Sequence, residues 1–295
     1  MLMPATERAG IVDAHHHVWD LAVRPQPFLD SAEELAPLRR RFGVDDLAPL
    51  AAAAGVSATV VVQTVTETAE TPELLALART GPLVAAAVGW TDLTAPGIAD
   101  VLASLCGGPD GQFLAGIRHP LLTEPDPDWL ARPEVRRGLA ALGQAGLTFD
   151  LVLPPHQLDG AAAAAAAAVP GVTFVLDHLG NADVTGPAPD PAWVRSLREF
   201  ARQPNTICKL SGILSEPGPG SAAAHLRPYA DLALECFGPQ RLMFGSDWPV
   251  STLGTAYGDV VATAIALTAD LSEPERSAIL RGTARTVYRL AGTDG

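Results

Sequence analysis

The sequence predicts an α/β fold, a (β/α)8 barrel of the TIM type formed by a single domain. The first observation is a series of eight short apolar runs, rich in Val, Ile, Leu or Phe, that recur along the 295 residues. The second is that helix-like stretches separate these runs, with the roughly 30-residue spacing that a strand–helix unit needs. The runs are continuous rather than alternating, which indicates a parallel sheet covered on both faces. An open, doubly wound sheet is the alternative.

The predicted strands follow the eight runs in chain order. They are residues 11–14, 59–63, 83–90, 114–118, 148–153, 173–177, 206–210 and 242–244. The predicted helices are residues 45–54, 72–80, 95–105, 134–145, 159–168, 191–202, 222–237, 259–267 and 273–290. The alanine run at 161–168 belongs to an outer helix, since Ala is the best helix former. No change in composition marks a second domain, so we expect one barrel over 11–291 after an N-terminal tail of residues 1–10.

Composition excludes several classes of function. The chain has 20 basic and 33 acidic residues and a formal net charge of −13, so we expect neither a nucleic acid nor a membrane as partner. Three scattered cysteines are typical of a reducing compartment. The start of the chain does not resemble a signal peptide, and Pro170 and Gly171 interrupt the longest apolar stretch. We therefore expect a cytoplasmic protein, a monomer or homodimer, that acts on a small molecule.

Polar side chains concentrate at the carboxyl ends of the predicted strands. Six of the seven histidines lie there, and only His225 does not. The six are His15, His16, His17, His119, His156 and His178. Because the carboxyl ends of barrel strands converge on one face, where catalytic residues are carried, this concentration predicts an active site at that face. Residues 20–44, rich in Pro and Arg, are the candidate active-site loop.

His15 and His17 are two residues apart, so in a strand both point to the barrel mouth while His16 points away. We expect His16 to pack or hydrogen-bond against the scaffold. Two imidazoles so placed can bind Zn²⁺ or another transition metal, with His178 and Asp247 completing the ligand set. They can equally hydrogen-bond to a substrate carbonyl without a metal. The spacing leaves both readings open.

Asp247 lies between Ser246 and Trp248 at the end of the last strand. A carboxylate there can take a proton from water, as a general base must. The alternative is the N-cap of the next helix, a position where Asp is favoured. The nearby histidines favour catalysis.

Arg118, His119 and Lys209 are candidates to hold the substrate. Arg118 and His119 end the fourth strand, where they could hold a carboxylate or polarise a carbonyl, or form a solvated strand end or salt bridge. Lys209 lies in an apolar strand, where an unpaired charge is costly. It therefore either reaches the mouth or pairs with an acid such as Asp150, and the sequence does not decide between the two.

Gln63 and three tryptophans, Trp19, Trp90 and Trp248, could form a wall against a ring, although aromatic residues at strand ends also serve as barrel plugs. His156 is either a loop residue or part of the site. The sequence contains neither a Gly-x-Ser-x-Gly elbow nor a His-Glu-x-x-His motif, which excludes the common serine hydrolases and zincins.

Eight segments resemble the amidohydrolase superfamily, and within it the branch of small lactonases that includes L-fuconolactone, L-rhamnonolactone, 4-sulfomuconolactone and 2-pyrone-4,6-dicarboxylate hydrolases. They are residues 13–20 (DAHHHVWD), 60–63 (VVVQ), 88–93 (VGWTDL), 116–120 (GIRHP), 176–180 (LDHLG), 208–212 (CKLSG), 241–250 (RLMFGSDWPV) and 282–290. They span nearly the whole chain in the order of the family. The resemblance implies a (β/α)8 barrel, in agreement with the strand count.

The resemblance also implies roles for single residues. His15 and His17 match the first-strand pair of the family, His178 its sixth-strand histidine and Asp247 its eighth-strand aspartate. It implies at most one divalent metal, zinc or manganese, and some lactonases of this branch do not require one. Where a substrate carries carboxylates, family members use several arginines; here Arg118 and the first-loop residues could serve. Those in the loop are Arg24, Arg39, Arg40 and Arg41.

The function so implied is hydrolysis of a lactone, from a sugar acid or from aromatic ring cleavage, by a carboxylic ester hydrolase with a role such as carbohydrate catabolism. Asp247 would activate water, and His15, His17 and His178, or a metal they hold, would polarise the carbonyl. The alternative is a metal-dependent decarboxylase of an aromatic or unsaturated acid on the same barrel. A non-catalytic binding barrel is a third possibility, which the retention of all four residues disfavours.

Overall fold

Eight parallel strands form one sheet in the order of the chain, as predicted for the (β/α)8 barrel. The structure is a computed structural model that describes residues 10–186, 188–212 and 222–290. The strands are β1 Ile11–His16, β2 Val56–Val62, β3 Val84–Gly89, β4 Leu114–Pro120, β5 Thr148–Val152, β6 Phe174–Leu176, β7 Thr206–Leu210 and β8 Leu242–Phe244. All eight predicted strands are present, and the open doubly wound alternative is excluded by this neighbour order.

Helices alternate with the strands and cover the outside of the sheet. They are α1 Val44–Ala54, α2 Glu70–Thr80, α3 Ile98–Gly107, α4 Pro133–Ala145, α5 Ala163–Ala168, the single turn α6 His178–Asn181, α7 Pro191–Ala201, α8 Ala222–Phe237, α9 Tyr257–Leu267, α10 Glu273–Ser277 and α11 Thr283–Val287. Several ends carry the expected signals: Gly55 and Gly146 end α1 and α4 in the left-handed conformation, and the Asp190 side chain caps α7.

Segments just after β8 close the barrel against β1. His16 pairs with Trp248 as an isolated parallel bridge, and the backbone N–H of His17 donates to the carbonyl of Trp248 (2.7 Å). The N–H of Asp247 donates in turn to the carbonyl of His15 (2.8 Å). Closure therefore places the first-strand histidines directly beside Asp247.

Alternate residues of the strands point to the barrel interior, because strand side chains have a period of two. Lys209 contacts side chains of other strands across the interior, so Ile207, two residues earlier, faces inward as well. Val60 and Val62 of β2 belong to the same buried apolar cluster as Ile207, and Tyr288 packs with them. Apolar side chains fill this part of the interior, so the polar residues lie toward the mouth.

Boundaries differ from the prediction at a few places. β1 continues to His16, so His15 lies within the strand rather than beyond its end. The predicted helix 159–168 is a wide π turn, Leu158–Ala162, followed by α5, and the predicted helix 273–290 is α10 and α11 joined by the π turn Ala278–Gly282. The predicted tail, except for Gly10, lies outside the described residues. Residue 291, the predicted end of the barrel, also lies outside them.

The first loop folds over the mouth with two short 3-10 helices, Pro27–Asp30 and Glu33–Leu38. Trp19 and Phe42 pair as an antiparallel bridge that joins the two ends of this loop. Within the described part of the chain, every helix is too short or too polar to cross a bilayer.

Candidate active site

Five side chains from four strand ends meet at the mouth of the barrel. His15 lies in β1, His17 directly follows it, Arg118 lies in β4, and His178 and Asp247 follow β6 and β8. All except His15 line a cavity of about 480 Å³, and His15 is fully buried directly behind it. The structure thus brings together the four residues predicted as catalytic.

The two histidines of the first strand contact each other, and the one between them does not join them. The Nε2 atoms of His15 and His17 are 3.1 Å apart. The Nδ1 of His17 donates to the carbonyl of Val62 (2.8 Å), which accepts only, so Nε2 of His17 carries the lone pair. His16 instead bonds Oγ1 of Thr59 (2.9 Å). The predicted division of the three histidines is confirmed by these contacts.

Asp247 faces three histidines. Its Oδ1 lies 3.6 Å from Nε2 of His17, 3.8 Å from Nε2 of His15 and 3.9 Å from Nε2 of His178. Burial alone would raise the pKa of Asp247, but its polar and charged neighbours, with the guanidinium of Arg118 among them, outweigh burial and hold its pKa below the usual value. The carboxylate is therefore ionised at neutral pH and available to accept a proton.

His178 is held by the seventh strand. Its Nδ1 is 2.9 Å from Oγ of Ser211, and its backbone N–H points to the same hydroxyl (3.3 Å). Burial lowers the pKa of the His178 imidazole, so the ring is neutral at neutral pH. Both His178 and Asp247 have positive φ angles, 55° and 58°, in the left-handed region that non-glycine residues seldom adopt. Such conformations cluster at functional sites, where surrounding contacts maintain them.

Gln63 holds Arg118 rather than lining the cavity. The Nη2 of Arg118 donates to the backbone carbonyl and to Oε1 of Gln63, and the Gln63 amide donates back to the carbonyl of Arg118 (3.2 Å). The Nη1 of Arg118 pairs with Oδ2 of Asp177 (3.3 Å). Its buried Nε has no partner among the described residues. Arg118 is thus fixed by protein acceptors while one of its N–H groups stays unused.

Lys209 pairs with acids and does not reach the cavity. Its Nζ lies 2.7 Å from Oδ2 of Asp150 and 2.9 Å from Oδ1 of Asp177, and all three side chains are fully buried. Tyr288 donates to the same oxygen of Asp150 (2.6 Å). Of the two placements open from the sequence, the structure has the pairing with Asp150. Lys209, with Arg118 and His15, keeps the pKa of Asp177 well below its usual value although burial opposes this.

Sequence reasoning missed Asp177 and Tyr288 as members of this cluster. A signal for Asp177 was available: it is the acidic residue that ends the predicted sixth strand, directly before His178. No comparable signal exists for Tyr288, which reaches Asp150 from the end of the chain.

His119 and Trp90 lie beside the cavity without lining it. His119 stacks flat on Trp129, with ring centroids 4.0 Å apart, and its Nε2 bonds Glu124 (3.0 Å). Trp90 donates from Nε1 to Nδ1 of His119 (3.3 Å). Both nitrogens of His119 are therefore used within the protein.

Trp19 and Trp248 are buried behind the first loop. The indole N–H of Trp19 donates to the carbonyl of Arg40 (2.9 Å), and Trp248 packs edge-on against Phe42, with centroids 5.5 Å apart. These two tryptophans anchor the loop and are absent from the cavity lining.

Arg24 and His156 also point away from the cavity. The guanidinium of Arg24 pairs with Glu73 through two bonds of 2.9 Å and with Glu67 (2.9 Å), which ties the first loop to the segment around α2. His156 is exposed in a 3-10 turn, Pro155–Gln157, after β5.

The arginines at 39–41 stay within their own segment. Arg39 pairs with Glu33 (3.4 Å), Arg41 with Asp45 (2.7 Å), and the guanidinium of Arg40 lies over the ring of Phe42. None of the three lines the cavity.

The walls of the cavity are mainly apolar, and apart from the candidate active-site loop at residues 20–44 no sequence pattern indicated them. The first loop, the loops after β2 and β4, and the ends of β5 and β8 all contribute. The apolar lining residues are Pro27, Phe28, Leu35, Val65, Pro120, Leu122, Val152 and Val250. The further polar ones are Thr64, Thr66, Glu67, Thr123 and Asn181. The cavity has a polar floor, formed by His17, Arg118, His178 and Asp247, and mainly apolar walls, the arrangement of a small-molecule site.

The donor set at the floor fits one divalent metal ion. His15, His17 and Asp247 offer ligand atoms within 4.8 Å of one another, and His178 lies beside them. Ligands about 2.0–2.2 Å from zinc in a tetrahedron are about 3.3–3.6 Å apart, close to the 3.1–3.8 Å among the donor atoms of His15, His17 and Asp247. The ligand atoms of a second set, His15, Asp177 and His178, also lie within 4.8 Å of one another, but Asp177 is paired with Arg118 and Lys209.

Comparison with known proteins agrees with this geometry. The amidohydrolase family model matches residues 12–290. An L-fucono-1,5-lactonase of Burkholderia ambifaria is 36% identical over 252 residues, which cover 84% of this chain and 83% of that protein. A second L-fucono-1,5-lactonase, from Burkholderia multivorans, is 35% identical over 291 residues, which cover 95% and 96%.

Solved structures share the barrel. An amidohydrolase from Burkholderia multivorans, crystallised with bound zinc, is 34% identical, has a TM-score of 0.88 and matches over 96% of this chain and 100% of its own. More distant structures support the fold alone. They include a 2-pyrone-4,6-dicarboxylic acid hydrolase from Pseudomonas putida (24% identity, TM-score 0.75, 96% and 98% covered) and a 2,6-dihydroxybenzoate decarboxylase from Rhizobium (17%, 0.63, 96% and 99%).

Proposed function

The chain belongs to the amidohydrolase family, and from that premise we propose that it opens the lactone ring of a sugar acid, with Asp247 as the base that activates water. It is a lactonase. Two relatives that carry this name are more than a third identical to it over most of both chains. The observation that carries the choice of base is that Asp247 lines the cavity with three imidazole nitrogens within 3.9 Å of Oδ1.

The charge of the cavity supports a neutral substrate. Arg118 is the one cation among the described lining residues, and protein acceptors hold its two Nη groups. Glu67 adds a carboxylate to the wall. A dicarboxylate would therefore meet no free pair of cations here, whereas a sugar-acid lactone can use the hydroxyl and amide groups of the wall. L-Fucono-1,5-lactone, the substrate in the names of the two relatives, is the specific compound we propose to test.

In the proposed reaction, the ionised Asp247 deprotonates a water molecule. The oxygen of that water attacks the lactone carbonyl carbon. The carbonyl becomes a tetrahedral oxyanion, and when it re-forms, the bond to the ring oxygen breaks. The proton held by Asp247 then passes to the ring oxygen, which gives the open hydroxy acid. Arg118 and His178, which line the cavity next to Asp247, are placed to stabilise the oxyanion through N–H groups.

His15, His17, His178 and Asp247 would hold one divalent ion, for which we propose zinc. When bound, such an ion supplies a Lewis acid that polarises the carbonyl. The roles of Asp247 as the base and of Arg118 as a donor to the oxyanion do not depend on it. The alternative of a metal-dependent decarboxylase receives no specific support, because the decarboxylase named above shares the fold alone.

The test is hydrolysis of L-fucono-1,5-lactone by the wild type and by Asp247→Asn, before and after dialysis against a chelator. We expect the substitution to reduce kcat by about 10²–10⁴-fold, the usual contribution of a general base. Asp92→Asn, which removes an exposed carboxylate after β3, is the matched control and should retain wild-type turnover. Wild-type turnover in Asp247→Asn would refute the assignment of the base, and loss of activity on chelation would show that the metal is required.

A further inference from the structure

Lys209 is a buried cation that the proposed reaction does not use. It lies in β7 with its side chain fully buried, and its Nζ lies 3.1 Å from Nδ1 of His15 as well as close to Asp150 and Asp177. An ammonium group only donates hydrogen bonds. A donor this close to Nδ1 favours a lone pair on that atom. It therefore influences which nitrogen of His15 carries the proton.

The neutral ring of His15 can carry its proton on either nitrogen. The first arrangement, with the proton on Nε2, satisfies both of the short contacts of the ring. Lys209 donates to the lone pair on Nδ1 (3.1 Å), so the proton of the neutral ring lies on Nε2. That proton points to Nε2 of His17 (3.1 Å), which carries a lone pair because Nδ1 of His17 donates to Val62. One chain of donors then runs from Lys209 through His15 to His17.

The second arrangement uses longer contacts. With the proton on Nδ1, His15 faces Oδ1 of Asp177 at 3.4 Å, and the lone pair on its Nε2 has Arg118 Nη1 at 3.5 Å. The lone pairs of His15 and His17 would then face each other at 3.1 Å and repel. A cation between them removes that repulsion, so this arrangement is the one that binds a metal.

We propose that Lys209 is a positioning residue that holds His15 with its proton on Nε2 and so weakens the binding of a divalent ion by the pair of histidines. To bind the ion, the proton of His15 must move from Nε2 to Nδ1, where Asp177 accepts it, and Lys209 must give up its bond to Nδ1. The proton count of the ring is unchanged by this step. The inference rests on the proposed function for the ligand set but does not use the reaction.

A variant must keep the buried charges balanced. Lys209 and Arg118 face Asp150 and Asp177, so removing the lysine alone would leave an excess carboxylate in the interior. Lys209→Met combined with Asp150→Asn removes one charge of each sign and preserves the acceptor for the hydroxyl of Tyr288. Asp150→Asn alone retains Lys209 with one excess positive charge, and it is the control for loss of the carboxylate by itself.

Two measurements on the metal-free, substrate-free enzyme test the proposal. Long-range ¹H–¹⁵N spectra of histidine-labelled protein distinguish the two protonated forms of a neutral ring, with His15 assigned by comparison with His15→Gln. Competition with a chromophoric chelator gives the affinity for Zn²⁺. We expect the wild-type His15 to carry its proton on Nε2, and the double variant to bind Zn²⁺ about 10-fold or more tightly, the size of effect usual for groups behind a metal ligand. Asp150→Asn should bind no more tightly than the wild type.

The proposal is overturned by a wild-type His15 protonated on Nδ1, by a double variant within about threefold of the wild-type affinity, or by equal tightening in Asp150→Asn. If the double variant does not fold, the wild-type spectrum still decides. Neither measurement uses a lactone, so failure of the enzyme to hydrolyse one would refute the proposed function and leave this inference standing.

Discussion

Ser246 donates two hydrogen bonds to the carboxylate of Asp13, one from its backbone N–H to Oδ1 (2.8 Å) and one from its hydroxyl to Oδ2 (2.6 Å). Asp13 lies two residues before His15, and Ser246 directly precedes Asp247. This pair therefore fixes the end of β1 against the turn after β8. The distance between the histidine pair and the base depends on it.

Ser246→Ala should lower the free energy of unfolding by about 1–3 kcal/mol, because it removes a hydrogen bond from a buried carboxylate oxygen. It should also reduce kcat, because the turn that carries Asp247 loses the hydrogen bond from the Ser246 hydroxyl to Asp13. Urea denaturation and turnover of the lactone measure the two effects. Ser251→Ala is the matched control: its buried hydroxyl has no partner in the described part of the chain. Equal losses in both variants would contradict the role of the Asp13–Ser246 pair.

Stability should fall in weak acid partly through His16. Burial lowers the pKa of His16 to about 3 from the usual 6.5. The unfolded chain therefore binds this proton at a higher pH than the folded one, so the stabilisation is complete above 6.5 and is lost as the pH falls toward 3. At about pH 5 the loss from this group is about 2 kcal/mol.

The measurement is urea denaturation of the wild type and of His16→Gln, which cannot titrate, at about pH 7.5 and about pH 5. We expect the wild type to lose more stability than the variant between the two values, since the other buried histidines act equally in both. Parallel losses would show that His16 does not resist protonation in the fold.

Phe28 of the first loop should affect binding of the substrate more than the chemistry. It lines the cavity and packs edge-on against Trp19 (5.7 Å between centroids), away from the catalytic floor. Phe28→Ser should raise KM by about 5–20-fold and change kcat little, because the lost apolar contact is the same in the ground and transition states. Leu50→Ser, an apolar-to-polar change at a half-exposed site on α1, is the control and should leave both constants unchanged. A fall in kcat alone would place Phe28 in the chemistry.

The catalytic floor was predictable because its signals are local. The alternation of side chains in a strand separates His15 and His17 from His16, and parallel connectivity brings the ends of β1, β6 and β8 to one face. The cavity walls were predictable only as far as the candidate loop at residues 20–44, because loops have no repeating pattern that shows which of their side chains, such as Phe28, line a cavity. The direction of a side chain at a strand end also escaped prediction: His119 turns to Trp129 and Glu124 instead of the cavity.

The sequence by itself determined the barrel, its strand order and the meeting of His15, His17, His178 and Asp247, because strand periodicity and the parallel βα repeat follow from residues near one another in the chain. Only the tertiary structure decided that Lys209 faces Asp150, Asp177 and His15 in the interior, where Tyr288 also reaches Asp150. Burial makes an unpaired charge costly, so the sequence required that Lys209 either reach the mouth or pair with an acid. Which partner it has depends on the register of β5, β6 and β7 and on how the end of the chain packs beneath them, and those are set by contacts between distant parts of the chain.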